Sequence, residues 1–188
     1  MKKIILTILI IFTFNYLHSQ ENDSLVLEKN ENYDCVRGQA KPIVLKSIFP
    51  NTEFHLNKDS LSGIETILIN ENEKVTINNE GCEYYSLNFT FETKKYTSSV
   101  NNLYYWYKAS YDLVNNIKSG LDSPIDIELG LKVYMKYLEK NKNKLQLNTQ
   151  IDFGQTEVYA IRDFVTLHEI IKTGDKYFVN ISFSVGPL

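Results

Sequence analysis

The hydrophobic period changes twice along this chain, and these changes constrain the fold more than any other feature. From Cys82 to Thr93 apolar and polar residues alternate, which predicts a strand with one buried face and one wetter face. The period lengthens to that of an amphipathic helix from Val100 and returns to strand alternation near Thr149. Strands, then helices, then strands predict an α+β fold with a single, mostly antiparallel sheet.

Two helices are predicted between the strand blocks. Apolar residues recur at helical spacing over Val100–Ile117, with Ser98 or Ser99 available as the N-cap. A second helix is predicted to start at Ser123, with Pro124 in its first turn. Because the link between them is short, we expect a two-helix hairpin packed on one face of the sheet.

The remaining strands are predicted from alternation and turn residues. The segments are 52–57, 64–69, 74–78, 149–153, 163–172 and 176–185. The last two flank Gly174-Asp175 and form a strong hairpin signal. Counting back from this turn places His168 opposite Ile181 on an apolar face, so a satisfied core histidine is the favoured interpretation, although one bulge would move it to the other face.

The N-terminus has the pattern of a signal peptide, which we assign to residues 1–19. Lys2 and Lys3 precede the apolar run Ile4–Phe14, which is too short to span a bilayer as a helix. Gln20 stands where a lipoprotein would need cysteine. We therefore expect a soluble periplasmic or secreted protein, with a flexible lead-in over residues 20–32 and a single α+β domain over residues 33–188.

Two cysteines, Cys35 and Cys82, are present in the whole chain. In an oxidising compartment they most simply form one disulfide, which closes a loop of about 47 residues and stabilises the fold by about 4 kcal/mol. The alternatives, a thiol nucleophile or a metal pair, lack an accompanying histidine cluster.

The charge of the chain argues against nucleic acid as a partner. The net charge is −3, and loss of Lys2 and Lys3 with the leader takes it to about −5. The one basic cluster, Lys140–Lys144, falls where a helix should end and complements the helix dipole. Stable membrane insertion is not expected either, because no second apolar run approaches the length of a span.

Motifs for chemistry are scarce. His168-Glu169 begins like a zinc-hydrolase motif, but Lys172 occupies the position of the required second histidine. Only His55 and His168 are left after leader removal, and no serine lies in a Gly-x-Ser-x-Gly elbow. We therefore predict no catalytic, metal or cofactor residues, while a nucleophile–histidine pair has few candidate members.

Two features suit a recognition surface. The disulfide neighbourhood carries Arg37, Glu83 and Tyr84, for which an exposed ion pair is the simpler interpretation. The run Tyr104-Tyr105-Trp106-Tyr107 is too aromatic for one helical stripe, so Tyr105 and Trp106 are candidates for contact with a partner. Packing of the run against the sheet and the second helix is the alternative.

These observations favour an exported binding protein, including inhibitor or immunity types. Its partner would be another envelope or secreted protein, or a glycan. The alternative is a small exported hydrolase that uses carboxylates, with Glu83 paired with Asp163 or Glu169. That hydrolase would need two of these carboxylates about 5–10 Å apart.

Overall fold

The computed structural model describes residues 38–154 and 161–187. The predicted leader, the lead-in, Cys35 and Arg37 lie outside these residues. All described residues fall within one compact unit. The strands are β1 (Glu53–Leu56), β2 (Gly63–Asn70), β3 (Glu73–Glu80), β4 (Tyr85–Thr93), β5 (Ile151–Asp152), β6 (Arg162–Thr173) and β7 (Lys176–Gly186), and the helices are α1 (Leu103–Ile117) and α2 (Ile127–Lys140).

The strands form one antiparallel sheet in the order β1-β2-β3-β4-β7-β6-β5. This confirms the α+β prediction of a single antiparallel sheet with two helices. The strands before the helices form one half of the sheet, and β7 joins β4 to close the two halves together. The chain therefore brings its last strand, β7, beside β4 at the centre of the sheet.

The two helices run antiparallel, as their side-chain contacts show. Ser110 and Tyr134 hydroxyls lie 2.8 Å apart, the rings of Tyr107 and Tyr137 stack at 6.3 Å, and Tyr104 donates to Glu139. These contacts pair decreasing residue numbers on α1 with increasing residue numbers on α2. The predicted helical hairpin is thus present.

Both helices pack on the same face of the sheet. The Trp106 ring of α1 lies 4.8 Å from that of Tyr177, and a Cβ on Gly130 of α2 would lie 2.8 Å from Cε1 of Phe183. Tyr177 and Phe183 are both odd-numbered residues of β7 and so point to one side. We call this side the covered face; on β4 and β7 it carries Tyr85, Leu87, Phe89, Phe91, Tyr177, Val179, Ile181 and Phe183, all buried.

The predicted helix starts are wrong by about one turn. Asn102, rather than Ser98 or Ser99, caps α1 through a bond from the Tyr105 N–H. Asp126, rather than Ser123, caps α2 through a bond from the Leu129 N–H. In each case several residues that can cap a helix lie close together in sequence. The residue that forms the cap is the one nearest the buried side chains of the helix.

A buried carboxylate attaches the incoming segment to the sheet. Glu65 of β2 is 1% exposed and accepts from the backbone N–H groups of Ile43 and Val44, at 2.8 and 3.1 Å. Burial raises the pKa of Glu65, against the lowering effect of these bonds. The segment is held at the end of the sheet where β3 meets the turn before β4.

Candidate functional site

The opposite side of the sheet carries mainly polar residues, and among residues 38–154 and 161–187 no helix packs on it. We call it the open face. On β4 and β7 it consists of Ser86, Asn88, Thr90, Glu92, Lys176, Phe178, Asn180, Ser182 and Ser184. Most of these side chains are half-buried, because they shield one another across neighbouring strands.

Hydrogen bonds organise the open face into pairs and forks. Glu80 accepts from the amide groups of both Asn78 and Asn88, each at 2.6 Å. The hydroxyls of Ser86 and Ser184 lie 2.8 Å apart, and Asn180 donates to Glu169 at 2.5 Å. These bonds fix the side chains in position without help from a helix.

Two amide oxygens in this network accept no hydrogen bond from the described residues. The Oδ1 atoms of Asn78 and Asn180 are buried and have no hydrogen-bond partner within the part of the chain that the structure describes. An unsatisfied buried acceptor costs about 1–3 kcal/mol, so such atoms call for an explanation. Because both oxygens are buried, a partner that docks on the surface as it stands does not reach them.

One row across the open face combines charge with apolar surface. Register places Leu68, Lys74, Glu92, Phe178 and Ile171 side by side on five adjacent strands. Leu68 is 68% exposed and Ile171 is 45% exposed, at the two ends of the row. In the middle, Lys176 and Lys74 both pair with Glu92, and the Lys176 hydrogen bond lowers the Glu92 pKa most.

His168 is the clearest correction to the sequence prediction. The predicted register holds from Thr173–Lys176 back to Glu169–Asn180, but a bulge then places Leu167, instead of His168, opposite Ile181. The bulge leaves His168 half-buried, with hydrogen bonds to two polar side chains, instead of in the apolar core. Burial lowers the pKa of His168, and the nearby Glu169 carboxylate opposes this.

The partners of His168 complete a three-residue relay. Its Nε2 lies 2.7 Å from Oγ of Ser182 on β7, and its Nδ1 lies 3.1 Å from Oδ1 of Asn148 in the loop before β5. Sequence reasoning missed both Ser182 and Asn148. No local motif marks them, because they meet His168 only when β6, β7 and the loop assemble.

Comparison with protein-family models, with curated proteins and with solved structures finds no match to this chain. Any assignment must therefore follow from the open face and from the residues that surround it.

The aromatic run of α1 belongs mainly to the core. Trp106 is 0% exposed, its Nε1 donates to the carbonyl oxygen of Ser99, and its ring packs on Tyr177, so its assignment to a recognition surface is wrong. The packing alternative is correct for this residue, because α1 turns Trp106 towards the sheet. Tyr105 is half-buried and accepts from the Thr97 N–H through its hydroxyl oxygen.

The other recognition candidates lie at the end of the sheet. Glu83 and Tyr84 are exposed in the turn before β4, and the Tyr84 side chain is close enough to Gly186 that a Cβ there would meet its ring. The sequence-predicted Arg37 partner lies outside the described residues. Tyr84 remains a surface aromatic at the margin of the open face.

The carboxylates predicted for the alternative hydrolase do not all lie close to one another. Asp163 and Glu169 lie six residues apart on β6, about 20 Å at the rise of an extended strand, so they cannot form a dyad. Burial raises the pKa of Asp163, and the carboxylates of Asp152 and Asp126 raise it further. Glu83 shares the end of the sheet with Asp163, since Tyr85 and Asp163 both pair with Val185.

No group of three or more His, Cys, Asp or Glu side chains in the described ranges is placed to hold a metal ion. Neither described helix is long and apolar enough to cross a membrane.

Proposed function

We propose that the mature domain is an exported, soluble binding protein that contacts another envelope or secreted protein through its open face. The observation that carries this proposal is the contrast within one sheet. The covered face is packed against two helices, whereas the open face presents an ordered polar network and exposed aliphatic side chains. A rigid surface of this kind loses little conformational entropy on binding, which suits an inhibitor or immunity-type protein.

The polar network supports a partner that meets an ordered surface. The amide groups of Asn78 and Asn180 donate to Glu80 and Glu169, so these side chains are already held in place. A partner then binds without first ordering them, which lowers the entropic cost of association.

The apolar residues of the open face favour a protein over a glycan. Sugar rings stack on exposed aromatic rings, whereas the residues most exposed in the row across the face are Leu68 and Ile171. Aliphatic anchors beside a charged centre suit a protein surface with its own apolar and charged groups. The Glu92 cluster would set the orientation of that partner.

A disulfide between Cys35 and Cys82 is part of the proposal, since export would expose both residues to an oxidising compartment. The chain path supports it. Asn79, three residues before Cys82, donates to the carbonyl oxygen of Lys41 at 2.8 Å. Six residues reach about 20 Å, so Cys35 can approach Cys82 from Lys41. Thiol titration of the denatured, unreduced protein should find no reactive thiol, and two reactive thiols would contradict the bridge.

The test of the proposed function is partner capture with two matched variants. Ile171→Asp places a charge on the open face, and Ile48→Asp places one at a similarly exposed isoleucine outside the sheet, since the residues are 45% and 47% exposed. The wild type and each variant are immobilised and exposed to envelope extract, and bound proteins are identified by mass spectrometry. One protein should be retained by the wild type and by Ile48→Asp but lost with Ile171→Asp.

Two outcomes would overturn the proposal. Retention of the same partner by Ile171→Asp would place the contact elsewhere, and retention of no specific protein by the wild type would remove the binding role. Both variants must first show the unfolding midpoint of the wild type, so that loss of capture is not loss of fold.

The carboxylate hydrolase is the second candidate, because Asp163 combines burial with two neighbouring carboxylates. A raised pKa is what a general acid requires at neutral pH. Asp163→Asn should then abolish glycoside hydrolysis, with Glu169→Gln as the control on the same strand. Lack of turnover by the wild type on a panel of envelope glycans would eliminate this candidate.

A further inference from the structure

The relay of Ser182, His168 and Asn148 has the order of a nucleophile, a base and a residue that orients the base. The Oγ of Ser182 lies 2.7 Å from Nε2 of His168, within the range of a strong hydrogen bond. The Oδ1 of Asn148 lies 3.1 Å from Nδ1 on the far side of the ring. A binding surface does not require these three groups in this order.

The chemistry of the partners favours one position for the imidazole proton. An amide oxygen only accepts, so neutral His168 donates to Oδ1 of Asn148 with its proton on Nδ1. Nε2 then has a free lone pair, which accepts the hydroxyl proton of Ser182. This is the tautomer that a general base needs to take a proton from a serine.

Two features of the backbone hold the relay in place. The bulge in β6 falls between Leu167 and Glu169, so His168 leaves the core-facing alternation. Bulges are frequent beside active sites because they re-aim one side chain. Asn148 has a φ of 61°, and its N–H donates to the carbonyl oxygen of Leu167 at 2.8 Å. The loop is thereby fastened to β6 one residue before the histidine.

We propose that Ser182 and His168 form an acyl-transfer site on the open face, with Asn148 as the positioning residue and a carboxylic ester as the substrate class. This activity goes beyond the proposed binding function and does not depend on it. The geometry of the relay carries the proposal, and the lowered pKa of His168 is consistent with a base that is neutral above mildly acidic pH.

The reaction balances with water as the only co-reactant. Oγ of Ser182 bonds to the acyl carbon while its proton moves to Nε2 of His168. The bond from the acyl carbon to the alcohol oxygen then breaks, and the alcohol leaves with that proton. Water attacks the acyl-serine and gives a proton to Nε2, and Oγ takes this proton back as the acid departs.

A donor group for the developing oxyanion stands on a neighbouring strand. Asn88 of β4 and Thr166 of β6 are the direct cross-strand partners of Ser182, but Ser182 and Thr166 are only 5% and 4% exposed. Directly opposed residues have Cβ atoms about 4.5–5.5 Å apart on the same face. An amide nitrogen has two N–H groups, and the bond to Glu80 uses one of those on Asn88. The proposal assigns the second N–H of Asn88 to the substrate oxygen.

The chain supplies its own control for the nucleophile. Ser184 lies two residues along β7 on the same face, and its hydroxyl is 2.8 Å from the hydroxyl of Ser86 instead of a histidine. A hydroxyl paired with another hydroxyl has no base to take its proton. Ser184 should therefore be inert where Ser182 reacts.

The test combines active-site labelling with ester turnover. The mature protein is treated with an alkyl fluorophosphonate, the adduct is mapped by mass spectrometry, and hydrolysis of p-nitrophenyl acetate is followed across pH. We expect the adduct on Ser182 and no turnover above background with Ser182→Ala. His168→Gln should lower turnover by about 10²–10⁴-fold, the usual contribution of a general base, whereas Ser184→Ala should retain both signals.

The role of Asn148 is tested by Asn148→Gly, which keeps the left-handed backbone that this position requires. If Asn148 positions the base, the variant should lose turnover and shift the pH at which the rate rises. An unchanged pH profile would show that Asn148 is merely structural.

Four results would overturn the proposal. They are no adduct on Ser182 in folded wild type, equal labelling of Ser182 and Ser184, turnover retained by Ser182→Ala, and a His168 proton found on Nε2 by ¹⁵N NMR. The NMR measurement needs no substitution, so it holds even if a variant fails to fold. Ester turnover and partner capture by the wild type are separate readouts, so either proposal can fail while the other stands.

Discussion

The two faces of the central strands differ in what their residues do for the protein. Along β4, Phe89 and Phe91 enter a helix-covered aromatic core, while Asn88 and Thr90, one residue away, lie on the open face. The first set must be apolar to stabilise the fold. The second set is under no such demand, yet it is rich in amides, hydroxyls and carboxylates held by specific bonds. One strand thus serves stability with one set of residues and leaves the other available for function.

The largest effect is expected when adjacent residues of β4, one on each face, are substituted. Phe89 is 1% exposed and its ring lies 6.1 Å from Phe91 and 6.0 Å from Phe183. Phe89→Ala should lower the free energy of unfolding by about 3–5 kcal/mol through lost burial and a cavity. Thr90→Ala should change it by about 0.5 kcal/mol or less. Denaturant titration measures both, and similar losses would mean that both faces are packed.

Gly130 tests how closely α2 approaches the covered face. A Cβ there would lie 2.8 Å from Phe183 and 3.1 Å from Phe153, both at ring atoms. Overpacking costs about 1–3 kcal/mol, and the better helix propensity of alanine returns about 1 kcal/mol. Gly130→Ala should therefore be destabilising by about 1 kcal/mol. A gain in stability, as expected at an open helix position, would refute the close contact; Lys132→Ala, at an exposed position of α2, is the control.

His168, a residue beside the open face, predicts that the free energy of unfolding depends on pH. Its pKa in the folded protein is lowered by burial, so the fold favours the neutral ring over the charged ring. This contribution is present above the unfolded pKa of about 6.5 and is lost as pH falls through the folded pKa. His168→Gln should remove that part of the acid destabilisation in thermal melts, whereas His55→Gln, at an exposed position, should leave it. Equal slopes for both variants would contradict the buried relay.

The smallest effect is expected from the charged centre of the open face. Lys74 and Lys176 both pair with Glu92, but all three side chains are partly exposed. Glu92→Gln should change thermal stability only slightly at low salt, and the difference should vanish in concentrated salt because exposed pairs are screened. A change that survives high salt would show that the cluster is structural instead of available to a partner.

Much of the fold could be predicted from the sequence because its signals are local. The strand predicted from the alternation of β4 is confirmed, and Gly174, with a φ of 62°, forms the predicted turn between β6 and β7. That turn set the pairing correctly from Thr173 to Glu169. The count failed at His168, since a bulge depends on the bonds that the histidine makes with Ser182 and Asn148, which are distant in sequence.

The candidate site was much less predictable than the fold. Trp106 was a reasonable surface candidate because four aromatics in succession cannot share one stripe, but which of them is buried depends on the rotation of α1 against the sheet. Ser182 carries no motif, and Asn148 sits in a loop. Only the assembled sheet places a base between them.

The central claim, that the open face is the contact surface of this domain, is tested most directly by partner capture with Thr90→Trp. Thr90 stands between Thr76 and Asn180, in the middle of that face. The account predicts that the bulky ring abolishes capture of the wild-type partner while the unfolding midpoint is unchanged, as it should also be for Lys132→Trp, which retains capture. Capture by Thr90→Trp at the wild-type level would contradict the account.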